Sequence, residues 1–394
     1  MTSATPPASA ADANRLGIAA LQSGDPQAAA DHFSAAAAAD PRSGALQRNL
    51  ASAWRALGDE GRELDALDAA LAIDRRDLMA WIRKAERHEA LGDKGAALAA
   101  WSAAVALGGQ LDPVPPPLAR LLAHGQAFID GATGSMFAAA SRSFAEIRGG
   151  LSETEVRRGE AFIAGALGRR RIYQNECAGI YYPFLPADEF FDRVHFPWMA
   201  EIEAQSDAIR GELCALLDDP GEALRPYVRM DAGTPESIWT DLDNRLDWGA
   251  CFLWEYGEPN QPVLDRCPVT AAALAAIPGA RIPGRAPSAF FSMLKPRTRI
   301  PPHTGVTNTR AIIHLPLIIP SGCGFRVGGE TRAWDVGRAF AFDDTIEHEA
   351  WNDSDDLRAV LIFDVWNPHL TPGERDLLQR YFASADASGY AVPR

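Results

Sequence analysis

The stretch "PPHTGVTNTRAIIHLPLII", residues 301–319, places one histidine in a lead of Pro, Gly and Thr and a second inside an apolar run. On a β-barrel alternate residues of a strand point inward, so His314 in "RAIIHLPLII" and Arg358 in "LRAVLIFDVW" need an explanation. Burying either without an anion or a hydrogen bond costs several kcal/mol, about the penalty of an unpaired buried charge. Taken alone, each reads as a satisfied core histidine or an arginine at a strand end. Their company changes the reading. His303 precedes one strand, and His348 lies in "DDTIEHEAW", 45 residues later, the distance that returns a jelly-roll chain to the same mouth through two hairpins. Arg358 follows ten residues on. Two neutral imidazoles suit Fe(II), and a guanidinium beside them suits a dicarboxylate held by paired hydrogen bonds.

Outward from this stretch, aromatic and β-branched segments are separated by Pro, Gly, Asn and Asp. "GACFLWEY", "SAFFSMLK", "TRAIIHLPLII", "CGFRVGG", "ETRAWDV", "RAFAFDD", "HEAWND" and "LRAVLIFDVW" make about eight short strands. That pattern predicts a jelly roll or double-stranded β-helix. One helix is predicted over "EIEAQSDAIRGELCALL", and further helix over residues 119–170.

The N-terminal third repeats itself. "LQSGD", "ALGDE" and "ALGDK" put Gly24, Gly58 and Gly92 at a constant spacing of 34, with Asp40 and Asp74 repeating at the same period. This is the tetratricopeptide period, and three repeats are about the minimum for a stable solenoid. Such a stack serves as a scaffold or dimerisation surface, or as a groove for a protein partner or substrate. "DPVPPPLAR", residues 112–120, punctuates its end. The predicted organisation is therefore α+β and multidomain: a tail over 1–12, an all-α repeat solenoid over 13–111, a Pro-rich linker and connecting helices over 112–175, and a β-helix domain over 176–394.

Composition narrows the partners. The 394 residues are 47% hydrophobic and 23% charged, as in a soluble globular protein, and a net charge of -14 argues against a nucleic-acid surface. Five scattered cysteines without CxxC pairing fit neither a zinc cluster nor a disulfide scaffold and suggest a reducing compartment. No signal peptide or membrane span is read, so the expectation is a cytoplasmic protein without membrane contact.

The block "FFSMLKPRTRIPPHTGVTNTRAIIHLPLIIP", continued by "FAFDDTIEHEAWNDSDDLRAVLIFDVWNP" to residue 368, resembles the catalytic core of the aspartyl/asparaginyl β-hydroxylase family. Weaker similarity reaches back to about Tyr181, so the resemblance covers about half of the chain. Vertebrate members also carry tetratricopeptide repeats ahead of the oxygenase domain. The resemblance implies an Fe(II)- and 2-oxoglutarate-dependent oxygenase that uses O2 to hydroxylate an Asp/Asn-like residue in a peptide or protein, or a free amino acid. It implies His303 and His348 as the iron ligands, with Gly305 where related oxygenases carry a carboxylate, and Asp344 as an aspartate holding a metal-bound water. Arg358 and Ser292 match residues that bind the distal carboxylate of 2-oxoglutarate, and His314 one that contacts its other carboxylate. Arg310 matches an arginine that binds the substrate's carboxylate, while the vertebrate pattern has a second arginine where this chain has Ile312.

The remaining features read as structural: the tryptophans 239, 248, 254, 334, 351 and 366 as core, His32, His88, His195 and His369 as structural or solvated, and Asp343 as a turn residue. A reading from another class is a binding protein in which the repeats act and the barrel is degenerate. The joint presence of His303, His348, Arg358, Ser292 and His314 favours the oxygenase.

Overall fold

A computed structural model describes residues 9–388. Most of the expected tail, and the last six residues of the expected C-terminal domain, lie outside the described residues. The chain divides into two compact units, Met1–Ser152 and Glu153–Arg394.

The first unit is helical: α1 (Ala10–Gln22), α2 (Pro26–Ala39), α3 (Gly44–Leu57), α4 (Glu60–Ile73), α5 (Leu78–Leu91), α6 (Lys94–Gly108) and α7 (Pro116–Ile147). The Gly-Asp pairs explain the repeat. Gly58 and Gly92 close α3 and α5 in the left-handed conformation, at φ 71° and 74°. The aspartates that follow them, Asp59 and Asp93, cap α4 and α6 by accepting from Arg62 N–H and Ala96 N–H, as Asp25 caps α2. Buried alanines such as Ala29, Ala30, Ala36, Ala70 and Ala100 let the helices approach closely. The stack runs on past the proline stretch, because Leu118, Leu121 and Leu122 of α7 pack against the buried Trp101 of α6.

The second unit carries α8 (Glu153–Ala166), α9 (Met199–Glu203), α10 (Ser206–Asp218), α11 (Gln261–Leu264), α12 (Pro268–Ala276) and α13 (Pro372–Ala387). The single helix predicted around residues 201–217 is two, α9 and α10, parted at Ala204 and Gln205. The strands are β1 (Leu224–Pro226), β2 (Trp248–Glu255), β3 (Glu258–Pro259), β4 (Ala289–Leu294), β5 (Thr298–His303), β6 (Arg310–Ile318), β7 (Cys323–Val327), β8 (Glu330–Arg332), β9 (Phe340–Phe342), β10 (His348–Asn352) and β11 (Arg358–Trp366). All eight predicted strands are present. His303 precedes β6 as predicted and also closes a strand that was not predicted, β5.

The strands form two antiparallel sheets, a seven-stranded one ordered β1-β2-β4-β11-β6-β9 with β3 paired to β2, and a four-stranded one ordered β5-β10-β7-β8. Alternation divides the large sheet. Phe291, Met293, Ile313, Leu315 and Leu361 face a core shared with α9, α10 and α12, while Leu294, Val360, Phe325 and Phe342 belong to a second core reached by both sheets. Among the described residues no helix is long and apolar enough to cross a membrane. All five cysteines are free.

Candidate functional site

A cavity of about 380 Å³ is lined by residues of both sheets, and Ser292, His303, Arg310, His314, Asp344, His348 and Arg358 all lie on its wall. Strand register brings them there. His348 of β10 pairs with His303 of β5, and the imidazole centroids are 4.0 Å apart. On the large sheet Ile362 of β11 pairs with His314 of β6 on one side and with Phe290 of β4 on the other, while Ser292 pairs with Val360.

The histidine pair could hold a metal. His303 Nδ1 lies 2.8 Å from the Pro301 carbonyl and His348 Nδ1 3.1 Å from the Ile346 carbonyl, so each Nδ1–H donates to backbone and leaves Nε2 with a free lone pair that could coordinate a metal. Burial lowers the pKa of both rings, that of His348 well below the ordinary value with the neighbouring His303 adding to it. Neutral imidazoles fit a divalent first-row ion. Among the described residues no group of three or more His, Cys, Asp and Glu side chains is placed to hold a metal. A Cβ at Gly305 would overlap the carboxylate of Asp344, whose backbone carbonyl accepts from Gly305 N–H. Burial, and then the charge of Asp343, pushes the Asp344 carboxyl up to about 7. Asp343 is a buried turn residue, accepting from Thr345 N–H at 3.0 Å, Thr345 Oγ at 2.6 Å and Asn175 Nδ2 at 2.7 Å.

At the other end of the cavity Arg358 is 1% exposed. Its Nη1 donates to Ser292 Oγ at 3.3 Å, its guanidinium sits 4.6 Å above the Trp334 ring, and its Nε has no partner. No carboxylate forms an ion pair with it among the described residues, and burial lowers its pKa to about 10. Trp334 stacks on His314 at 5.6 Å and 7°, and Trp334 Nε1 and His314 Nδ1 are likewise buried without partners. Buried polar atoms without partners call for a ligand. A cation with two nearby nitrogens and the Ser292 hydroxyl fits a dicarboxylate such as 2-oxoglutarate.

Several site residues escaped the sequence reading. Trp248, read as core, donates Nε1–H to Ser292 Oγ at 3.1 Å, and Trp239 meets His303 edge-on at 4.8 Å. Asp364 holds Arg310 at 2.6 Å. No sequence signal distinguishes these from core residues, because their roles follow from cross-strand register.

A profile of the family described as "Aspartyl/Asparaginyl beta-hydroxylase" matches residues 203–368. The mouse aspartyl/asparaginyl beta-hydroxylase is 39% identical over 137 residues, 34% of this chain but only 18% of that protein. The human protein is likewise matched over 18% of its length. The ornithine lipid ester-linked acyl 2-hydroxylase of Rhizobium tropici is 35% identical over 200 residues, 50% of this chain and 67% of that protein. The helical unit is similar to PcrH from Pseudomonas aeruginosa, at 22% identity over 32% of this chain and 91% of that one, but with a TM-score of 0.28 this adds nothing to the repeat already described. With a relative 35% identical of which 67% is covered, and with the profile spanning the residues that wall the cavity, the chain belongs to the aspartyl/asparaginyl β-hydroxylase family.

Proposed function

We propose that the chain is an Fe(II)- and 2-oxoglutarate-dependent oxygenase that hydroxylates a C–H bond in a substrate held in the outer half of this cavity. Arg358 carries the reading. A fully buried cation without a carboxylate is tolerable only where an anion meets it. Its fork and the Ser292 hydroxyl would hold the distal carboxylate, and His314 would meet the other end. His303 and His348 would hold the metal, and Asp344 a water beside it. Bound iron would supply oxygen activation, with 2-oxoglutarate leaving as succinate and carbon dioxide. The protein's share is to orient the cosubstrate, exclude water with the Trp239, Trp248 and Phe325 walls, and fix the substrate carbon near the histidines.

The same proposal takes the two sheets as a double-stranded β-helix within an oxygenase domain over 176–394, the helix pairs over 13–111 as a tetratricopeptide surface for a protein partner or substrate, 112–175 as the connection, and the cytoplasm as the setting. The relatives' names differ over the substrate: aspartyl and asparaginyl residues for the mouse protein, an ester-linked acyl chain for the Rhizobium protein. The deciding experiment is incubation of the purified chain with Fe(II), 2-oxoglutarate and O2. Succinate should form, and His303→Ala and His348→Ala should form none. A wild-type protein that neither binds 2-oxoglutarate nor releases succinate refutes the reading and returns the degenerate barrel.

A further inference from the structure

Arg310 is the one feature of the outer cavity that points to an acidic substrate, and its charge is already met. Its Nη1 donates to Asp364 Oδ2 at 2.6 Å and to the Arg285 carbonyl at 3.3 Å, and the Asp364 side chain is only 2% exposed. The other Asp364 oxygen accepts from Ser288 N–H at 3.1 Å. A substrate carboxylate taking Arg310 would strand Asp364, a buried anion with no second cation in an ion pair. The remaining lining charges compound this. Besides Arg358 at the cosubstrate end, Arg310 is the only Lys or Arg on the wall, against Glu255, Asp344 and Asp364.

Apart from the hydroxyls of Tyr227, Tyr256, Ser288 and Thr304, the rest of the outer wall is mostly aromatic and aliphatic. Ile312 stands two residues from both Arg310 and His314 on β6, in register with Asp364. Phe252, Phe290, Ile362 and His314 form a continuous row across β2, β4, β11 and β6. Over that row Tyr227 stacks on Trp248 at 4.0 Å and 20°, and it lies 5.2 Å from Phe290. Flat aromatic faces and branched aliphatic side chains gain by covering an apolar group and offer no partner to a carboxylate, since a ring face attracts cations and not anions, as Arg225 over Phe252 shows.

We infer that the group hydroxylated is an uncharged hydrocarbon, an alkyl or aryl moiety lying along Tyr227, Phe252, Phe290 and Ile312, and that Arg310 with Asp364 forms a neutral pair that disfavours a carboxylate there. This rests on the oxygenase reading for the reaction, but not for the shape or charge of the wall. Such a group can come from an apolar amino-acid side chain or from an acyl chain.

The test titrates four probes into the Mn(II)- and 2-oxoglutarate-loaded full chain without oxygen, and in parallel into the metal-free chain: the N-acetyl methylamides of Leu, Phe and Asp, and the octanoyl ester of glycerol. At least one hydrocarbon probe should bind ten times or more tighter than the Asp probe, and the tightest identifies the source. Asp364→Asn, which frees the Arg310 charge, should raise affinity for the Asp probe at least tenfold. Should that variant fail to fold, Ile312→Arg supplies the second cation on the same strand face and should do the same. Equal or tighter binding of the Asp probe by the wild-type chain, no binding of any hydrocarbon probe at millimolar concentration, or no gain for the Asp probe in a folded variant overturns the inference. Failure of the chain to bind 2-oxoglutarate at all overturns the oxygenase reading instead, and the metal-free titrations then decide the character of the wall.

Discussion

Replacing Arg358 with Met should stabilise the ligand-free protein and abolish its response to 2-oxoglutarate. Burial takes the guanidinium down from its ordinary value to about 10. At roughly 1.4 kcal/mol per unit, that difference corresponds to about 3 kcal/mol against the folded state. The sign follows from the depressed pKa: below about pH 10 both folded and unfolded chains carry the charge, so the whole penalty is present at neutral pH. Removing the arginine also removes its contact with Trp334 and the long bond to Ser292, together about 1 kcal/mol. Ser292 keeps Trp248 as a donor. A net gain of about 2 kcal/mol follows, which in a domain of this size raises the melting temperature by about 4–8 °C. The assay is thermal unfolding followed by circular dichroism, with and without 2-oxoglutarate in the presence of Mn(II). The wild-type chain should gain about 2.7 kcal/mol at a hundredfold excess over its dissociation constant, and Arg358→Met nothing. A variant less stable than wild type without ligand, or one stabilised equally by 2-oxoglutarate, would refute the argument that the cation waits for an anion.

His303→Ala and His348→Ala should each lose Mn(II) binding at micromolar metal, as read by the electron paramagnetic resonance of free Mn(II); retention in either removes that ring from the donor set. Trp334→Leu should weaken 2-oxoglutarate about tenfold at unchanged Mn(II) affinity, with Trp334→Phe recovering most of the loss, because the ring carries both Arg358 and His314. A loss identical in both variants would make Trp334 mere packing. Burial pushes the Asp343 carboxyl up to about 6, above its unfolded value of 3.8, so its contribution to stability is present below pH 3.8 and is lost as pH rises through about 6. The stability gap between wild type and Asp343→Asn, from urea unfolding, should therefore move by about 3 kcal/mol in favour of the variant between pH 4 and 7; a constant gap contradicts the shift. Gly305→Ala should destabilise by about 1–3 kcal/mol through overlap with Asp344, and adding Asp344→Ala should recover most of it. Strict additivity of the two changes would show that they do not meet.

The strands legible in the sequence were the aromatic and β-branched runs, and the three that were not legible have a feature in common. Leu224–Pro226, Glu258–Pro259 and Thr298–His303 each carry proline, and β1 and β5 are edges of their sheets while β3 lies off the main path. Proline removes a ladder hydrogen bond and is tolerated there for that reason, whereas Pro316 in the interior strand β6 sits at a register shift against β11 and did not hide that strand. The site divides in the same way. His314 and Arg358 stood out because polar residues in apolar runs demand partners, and His303 and His348 because their spacing fits a return of the chain to one mouth. Trp248 and Trp334 did not, since an indole over a cavity and an indole in a core are the same letter. Asp364 was invisible for a stricter reason: its partner Arg310 is 54 residues away, and only the pairing of β6 with β11 brings them together.

That pairing also bears on the Gly305 position. Related oxygenases place a carboxylate two residues after the first histidine, and here the backbone there has room for none, because the Asp344 side chain fills the space a Cβ would take. Asp344 is brought in by the turn between β9 and β10, which Asp343 fastens through Thr345 and Asn175. The short distance from Gly305 N–H to the Asp344 carbonyl, 2.6 Å, ties the two segments together. A glycine at 305 is thus a packing requirement of Asp344 and not a gap left by loss of a ligand. The nearest carboxyl, that of Asp344, comes from another strand connection, and burial raises its pKa to about 7. On the proposed oxygenase reading, two imidazoles with a nearby carboxyl that is only partly ionised at neutral pH would leave more of the metal's coordination sphere to cosubstrate and water than a full facial triad would. In such a sphere, occupancy by metal depends on the anion at Arg358, and the two ends of the cavity are expected to bind their ligands cooperatively.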